Sequence, residues 1–367
     1  MSSPRRIAAV ARVELARLLR TRMTFTLLLL VPALQVVLFG TAIRPQAARI
    51  TVAIAAPSPQ SATSVAADLA RQPGLALVGG TLRPGEAEAM VRGGKALIGI
   101  EIPATRSFAN PTVPLLPVRV IVDASNPALT TVAAPRIEAA YWRALAIRAE
   151  VETTGPGLRI ERLYNPEERA DWAFLPALAG VTVMIAMIML GSLSLARERE
   201  TGTWETLLSL PIGKGEALAG RLLPYTAIGT VQGVLVLAAG WLIFDMPMRG
   251  SAAALVALLP LFAAAHFAIG YAISARAATQ LAALQGAVAF YLPAMLLSGF
   301  LYPFETLPPW AQAIGNGFPL THFIDAARGA MLRGDSAASV LASGIPIVVA
   351  LCLATVVALI AQGRRLD

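Results

Sequence analysis

The chain has 367 residues, of which 56% are hydrophobic and only 14% charged, with a formal net charge of +8. A soluble globular protein carries about 25% charged residues, so long stretches of this chain are built to avoid water. The basic residues stand beside apolar segments rather than on a recognition helix, which argues against a nucleic-acid partner; the single cysteine, Cys352, excludes an internal disulfide.

Residues 1–22 read as a basic amphipathic helix, with Ile7, Val10, Leu15, Leu18 and Leu19 on one side and most of the arginines on the other. Such a helix beside a span lies at a membrane surface; the alternative is a plain positive anchor with no further role. Crossing a hydrocarbon core of about 30 Å takes roughly 20 apolar residues. Residues 23–43 supply the first such stretch. It is longer than the apolar core of a signal peptide, about 7–15 residues, and no small-x-small cleavage site follows, so an uncleaved anchor is expected.

Residues 44–172 are too polar to span, with 14 basic and 12 acidic residues. Alternating residues Ile50, Val52 and Ile54 predict a strand, and further strands are expected at 75–78, 95–102, 118–122 and 158–163. Helices are expected at 58–71, 85–92 and 128–150, giving a small α/β domain whose two ends both return to the membrane.

Five more apolar segments follow, at 173–195, 222–244, 252–274, 281–301 and 340–361. None has a charged residue in its middle, where charge in lipid is costly. The fold class expected is therefore an α-helical polytopic membrane protein with six transmembrane helices and an inserted α/β extracytoplasmic domain. With the N-terminus inside, regions 1–22, 196–221, 275–280 and 361–367 hold 13 basic residues against six acidic ones. The short outer loops hold Arg249, Arg328 and Arg333 against Asp245, Glu305, Asp325 and Asp335. This asymmetry places both termini in the cytoplasm.

The loop at 196–221 opens with Arg197, Glu198, Arg199 and Glu200, alternating charges expected to pair locally and stay solvated. Gly202 follows, then Thr203, which can cap a short helix presenting Trp204, Leu207 and Leu208 on one side, with Glu205 between them and Pro211 ending it. A short, partly apolar cytoplasmic helix suits a socket on another protein; an interfacial helix resting among lipid headgroups fits the physics equally.

Gln35, Gln232, His266 and Gln285 are polar residues in or near the spans. Each is a candidate for the substrate path, although amides in lipid also bond neighbouring helices and a neutral histidine packs against a carbonyl. Pro303, Pro308, Pro319 and His322 fall in the stretch 302–339, punctuated by Pro and Gly over 302–321, which suits an outer gate or vestibule, with a lipid-facing loop as the alternative. His322 and Asp325 share a helical face, but no third ligand is near in sequence, so no metal site is expected. Gly94-Lys95 and Gly213-Lys214 lack the remainder of a phosphate-binding loop, and no nucleophile elbow is present. The chain is expected to be no enzyme and to bind no cofactor itself.

Several stretches together resemble the ABC-2 type permease family, in its multidrug-export branch. They are Leu163-Tyr164-Asn165-Pro166-Glu167, Arg197–Glu200 with Gly202, Thr203, Glu205, Leu207, Leu208 and Pro211, Gly220–Tyr225 with Gln232, Leu297–Phe300 with Tyr302 and Pro303, and Phe318–Phe323 with Arg328 and Gly329. Val120 to Asn126 is similar to that family's outer domain. The family pattern carries Met at the position of Trp204. The resemblance implies that the loop after the second span is a coupling helix seated on a separate cytoplasmic ABC ATPase subunit, which binds the ATP and Mg. It implies that the N-terminal helix braces that loop and that a second permease copy or a sister permease pairs with this one. It further suggests a bacterial inner membrane location and a periplasmic membrane-fusion adaptor as partner. An exporter of lipid, glycan or ion, a gradient-driven transporter and a membrane-anchored binding module are the rival readings.

Overall fold

The computed structural model describes residues 3–20, 30, 33–37, 50–56, 75–80, 82–93, 95–96, 98–101, 119–122, 169–204, 209, 211–302, 304 and 307–362. The span expected at 23–43 lies mostly outside the described residues, and the helices expected at 58–71 and 128–150 and the strand at 158–163 lie wholly outside them. The chain divides into two compact units, Arg44–Glu161 and Met1–Ile43 with Arg162–Asp367.

In the first unit the described residues form a four-stranded mixed sheet of β1 (Ile50–Ala55), β2 (Leu75–Leu77), β3 (Ile98–Glu101) and β4 (Arg119–Val122), in the order β2-β1-β3-β4. β1 pairs parallel with β2 and β3, and β3 pairs antiparallel with β4. Helix α2 (Glu86–Arg92) sets Ala87 and Val91 against Ala53 and Ala55 of the sheet and Ala96 ahead of β3. Val52 to Ala55 are all buried, which explains why this strand reads as an almost continuous apolar run. The guanidiniums of Arg92 and Arg119, each 2.8 Å from Glu88, hold that carboxyl below its ordinary range.

The second unit is helical: α1 (Ser3–Arg20), α3 (Ala170–Glu200), α4 (Lys214–Ile243), α5 (Ala252–Ser274), α6 (Gln280–Leu297), α7 (Pro309–Gly315), α8 (Pro319–Arg328), α9 (Ala337–Ala342) and α10 (Gly344–Ala361). Five described helices are long and apolar enough to cross a bilayer, namely α3, α4, α5, α6 and the α9–α10 pair. This is the architecture of a polytopic helical membrane protein. Side chains start the helices where the sequence offers them: Ser251, Thr279 and Ser336 each accept the N–H three residues on. Pro176, Pro224, Pro260 and Pro293 sit within the long helices, where neighbouring helices re-satisfy the backbone.

α5 is the central helix, packed against α3, α4 and α10. It meets α3 so closely that a Cβ at Gly191 or at Gly270 would collide with the opposing backbone, the close approach that small residues permit between membrane helices. α7 and α8 form a short pair broken at Asn316–Phe318, and α8 buries Leu320, Phe323 and Ile324 in the bundle, with Phe323 stacked on Phe262 at 4.4 Å. A π-turn at Gly329–Arg333 then accepts the N–H groups of Arg249 and Gly250, fixing the α4–α5 connection.

Candidate functional site

The residues singled out between 196 and 221 flank a junction of five helices. α3 ends at Glu200, Thr201 caps it, and Gly202 takes φ +72, the left-handed position that terminates helices. The Thr203 hydroxyl donates to the Glu198 carbonyl at 3.3 Å and folds the chain back over the helix end. Glu205, Leu207 and Leu208 lie outside the described residues.

The four alternating charges do not pair locally, contrary to the reading from sequence. Arg197 is exposed, but the next three reach three different destinations. Glu198 is only 6% exposed and accepts from Arg221 at 2.5 Å. The Arg199 guanidinium donates to the carbonyls of Ala275 (2.8 Å) and Ala277 (2.9 Å), capping the C-terminus of α5, and lies 5.1 Å from the Trp204 ring centroid. Glu200 accepts the Gln280 N–H at 3.0 Å, at the N-terminus of α6. Each charge complements the dipole or the buried partner it meets. Consecutive helical residues point in directions about 100° apart, so adjacent charges on α3 necessarily address different neighbours.

Arg221 is the centre of the junction. It is 1% exposed, in the second turn of α4, and its Nε stands 3.3 Å from Glu14 of α1. The Ser194 hydroxyl accepts from it at 3.3 Å. Arg17 closes the cluster, 3.4 Å from Glu14 and 3.8 Å from Glu198, and the Tyr225 hydroxyl donates to Glu14 at 3.4 Å. Two carboxylates and two guanidiniums are thus gathered from α1, α3 and α4, and their formal charges cancel. Lys214, which opens α4, donates to the carbonyl of Gln362 at the end of α10.

α1 meets the bundle along Ile7, Val10, Glu14 and Leu18, with a Cβ at Gly220 reaching within 2.6 Å of Val10. Leu15 and Leu19, placed on the same face from sequence, are instead 43% and 61% exposed together with Val13. A carboxylate occupies the packed face because Arg221 neutralises it there, and the displaced leucines form a second apolar stripe. Sequence reasoning missed Glu14 and Arg221; the available signal was a lone acid among six arginines, spaced seven residues from Ile7 and four from Leu18.

The intramembrane candidates are dispersed. The Gln35 side-chain oxygen accepts from the Thr182 hydroxyl at 2.9 Å, a bond between neighbouring helical segments. Gln232 is 2% exposed in α4, and His266 is wholly buried in α5, its Nδ1 2.9 Å from the Phe262 carbonyl oxygen. Gln285 is exposed on α6, apart from the others. Of the gate residues, Pro303 lies outside the described residues, Pro308 precedes α7, and Pro319 opens α8. The His322 ring meets the Asn316 carbonyl oxygen at 2.9 Å across the α7–α8 break. Among the described residues no three metal-ligating side chains come together.

Comparison with known proteins adds to this geometry. Residues 21–361 match the family described as ABC-2 family transporter protein. The chain is similar to the probable multidrug ABC transporter permease YbhR of Escherichia coli (strain K12), 29% identical over 335 residues, which is 90% of this chain and 91% of that protein. It is 26% identical to the probable multidrug ABC transporter permease YbhS of the same organism, over 91% of this chain and 92% of YbhS. The linearmycin resistance permease protein LnrN of Bacillus subtilis (strain 168) is 28% identical over 223 residues, 60% of this chain and 56% of LnrN.

Proposed function

The chain belongs to the ABC-2 transporter family, and from that premise we propose that it is the permease of a drug or amphiphile exporter powered by a separate ABC ATPase. As an ABC-2 permease it is a membrane transport component and not a catalytic enzyme. In this reading the chain lies in a bacterial inner membrane with both termini cytoplasmic, residues 44–172 outside, and ATP and Mg bound by the partner. The names of YbhR and YbhS support a multidrug substrate class.

One observation carries the coupling role assigned to residues 197–208: Glu198, Arg199 and Glu200 bind α4 with α1, the end of α5, and the start of α6. ATP-driven closure of the partner would press on the turn at 201–211. Because the turn's root is fastened to helices of the bundle, the displacement would pass to them together rather than be absorbed by a loose loop. Gly202 and Thr203 shape the turn, Trp204 is held under Arg199, and Glu205, Leu207 and Leu208 would face the partner's socket. A second permease copy or sister permease would complete the path, with Gln35, Gln232, His266 and Gln285 as its candidate polar contacts and Pro303, Pro308, Pro319 and His322 at its outer gate. A periplasmic membrane-fusion adaptor would receive the cargo.

The test is copurification of the full chain with a co-expressed ABC ATPase, and its loss on Gly202→Pro or Glu205→Arg. Substrate flux in vesicles that contain the chain and no ATPase would overturn the proposal in favour of a gradient-driven transporter.

A further inference from the structure

Between α5, α6 and α10 runs an apolar groove of about 900 Å³ that no part of the coupling junction uses. Its floor is one face of α5, with Ile269, Ala272 and Ile273, continued by Arg276 in the turn just past the end of that helix, and its walls include Phe290 of α6 and Leu353 and Val357 of α10. The turn between α7 and α8 closes one end. The lining residues of α10 extend from Ile345 to Val357, about 18 Å at the helical rise, slightly more than one leaflet of a hydrocarbon core of about 30 Å. The groove also opens sideways onto the exposed apolar face of α10, where Ile345, Leu353 and Ile360 are 66%, 62% and 75% exposed.

The groove's other end carries the cation of Arg276. Arg276 is exposed and makes no ion pair among the described residues. Nor does α5 need it as a C-terminal cap, because Arg199 already binds those carbonyls. Arg221 and Lys214 are occupied by Glu14 and Glu198 and by the Gln362 carbonyl. A long apolar slot with a cation at its mouth matches an amphiphile with a hydrocarbon tail and an anionic head. Branched and aromatic side chains make up most of the wall, with Ala350 and Ala354 leaving the hollow between them, and a hollow of this shape with a cation at its mouth fits an acyl chain and its anionic head.

We propose that this groove holds one acyl chain of a membrane phospholipid whose phosphate pairs with Arg276. The site is independent of the exporter reading and stands whether or not an ATPase binds this chain.

The experiment is native mass spectrometry of the full chain in detergent, titrated with palmitoyl-oleoyl-phosphatidylglycerol or with dioleoylglycerol, which has the tails without the phosphate. The phosphatidylglycerol is expected to be retained and the dioleoylglycerol lost. Arg276→Ala should weaken phosphatidylglycerol binding about fivefold, the effect of one juxtamembrane basic residue on an anionic lipid, and Arg276→Lys should retain it. Ala350→Phe, or Leu353→Trp if the first does not fold, should abolish binding by filling the slot while the melting temperature holds. Equal binding by Arg276→Ala and wild type would overturn the proposal. So would unchanged lipid binding by the filled variant, including the case in which filling instead dissociates a dimer, which would assign the groove to a second copy.

Discussion

Replacing Arg221 with Met removes the cation that Glu14 and Glu198 share. Both carboxylates are buried, 4% and 6% exposed, and would face each other across the vacated site. Breaking a buried pair by deleting one partner is destabilising by about 3–5 kcal/mol. Arg17 moderates this, since it lies 3.4 and 3.8 Å from the two acids, but its side chain is 41% exposed and its charge is screened by water. The lower end, about 3 kcal/mol, is therefore expected. At roughly 2–4 °C per kcal/mol for a unit of this size, the melting temperature falls by about 6–12 °C. The assay is thermal unfolding of the purified chain in detergent, followed by loss of the monodisperse peak. The triple variant Glu14→Gln, Glu198→Gln, Arg221→Met carries no buried unpaired charge and should recover most of the loss, because apolar or neutral replacement of a whole buried ion cluster is often close to neutral. If the triple variant melts as low as the single one, the damage comes from lost packing of the Arg221 stem, and the electrostatic account of the junction fails.

Four further outcomes follow from the same geometry. Gly202→Ala places a Cβ in the left-handed region at about 1–2 kcal/mol; with nothing within 4 Å of that position, it should leave the fold intact and weaken ATPase copurification. Gly191→Val drives a side chain into the backbone of α5 and should lower folded yield, since overpacking is typically destabilising by about 1–3 kcal/mol. Cys352 is exposed on α10, midway along the span, where hydrocarbon keeps its thiol protonated, so in intact cells it should resist both permeant and charged maleimides and react only after denaturation; labelling of intact cells by the charged reagent would place α10 in water. Glu88, held low by Arg92 and Arg119, contributes stability above the ordinary carboxylate range that is lost as pH falls through its lowered value, so Glu88→Gln should flatten the acid limb of a melting-temperature profile.

Much of the helical architecture was legible because lipid imposes length and apolarity together. α4, α5 and α6 each announce themselves as runs without central charge. The strand at Ile50–Ala55 was legible from its β-branched apolar residues, although burial of both faces replaces the alternation expected, and the helix at Glu86–Arg92 from the glycines beside it. What could not be read was the destination of each charge at 198–200. Sequence spacing shows that neighbouring residues diverge around a helix, but the identity of the opposing surface comes from tertiary packing. The exposed Leu15 and Leu19 illustrate the same limit, since a face was assigned by hydrophobicity alone and the buried Glu14 was compensated from a residue 207 positions away.

The ionic character of the junction has a physical reason beyond stability. At the edge of a bilayer, apolar contacts discriminate poorly, because lipid solvates a leucine as well as another helix does. In the proposed reading, with the N-terminus at the cytoplasmic surface, a helix held to the bundle by leucines alone could slide into the acyl region, as the exposed Leu15 and Leu19 would favour. Directional bonds resist this. The Glu14–Arg221–Glu198 cluster is satisfied in one register of α1 against α3 and α4, and a shift of one residue would rotate Glu14 by about 100° away from its cation. The penalty for an unpaired buried charge then becomes the restoring force that keeps α1, the turn at Gly202 and the start of α4 moving as one body.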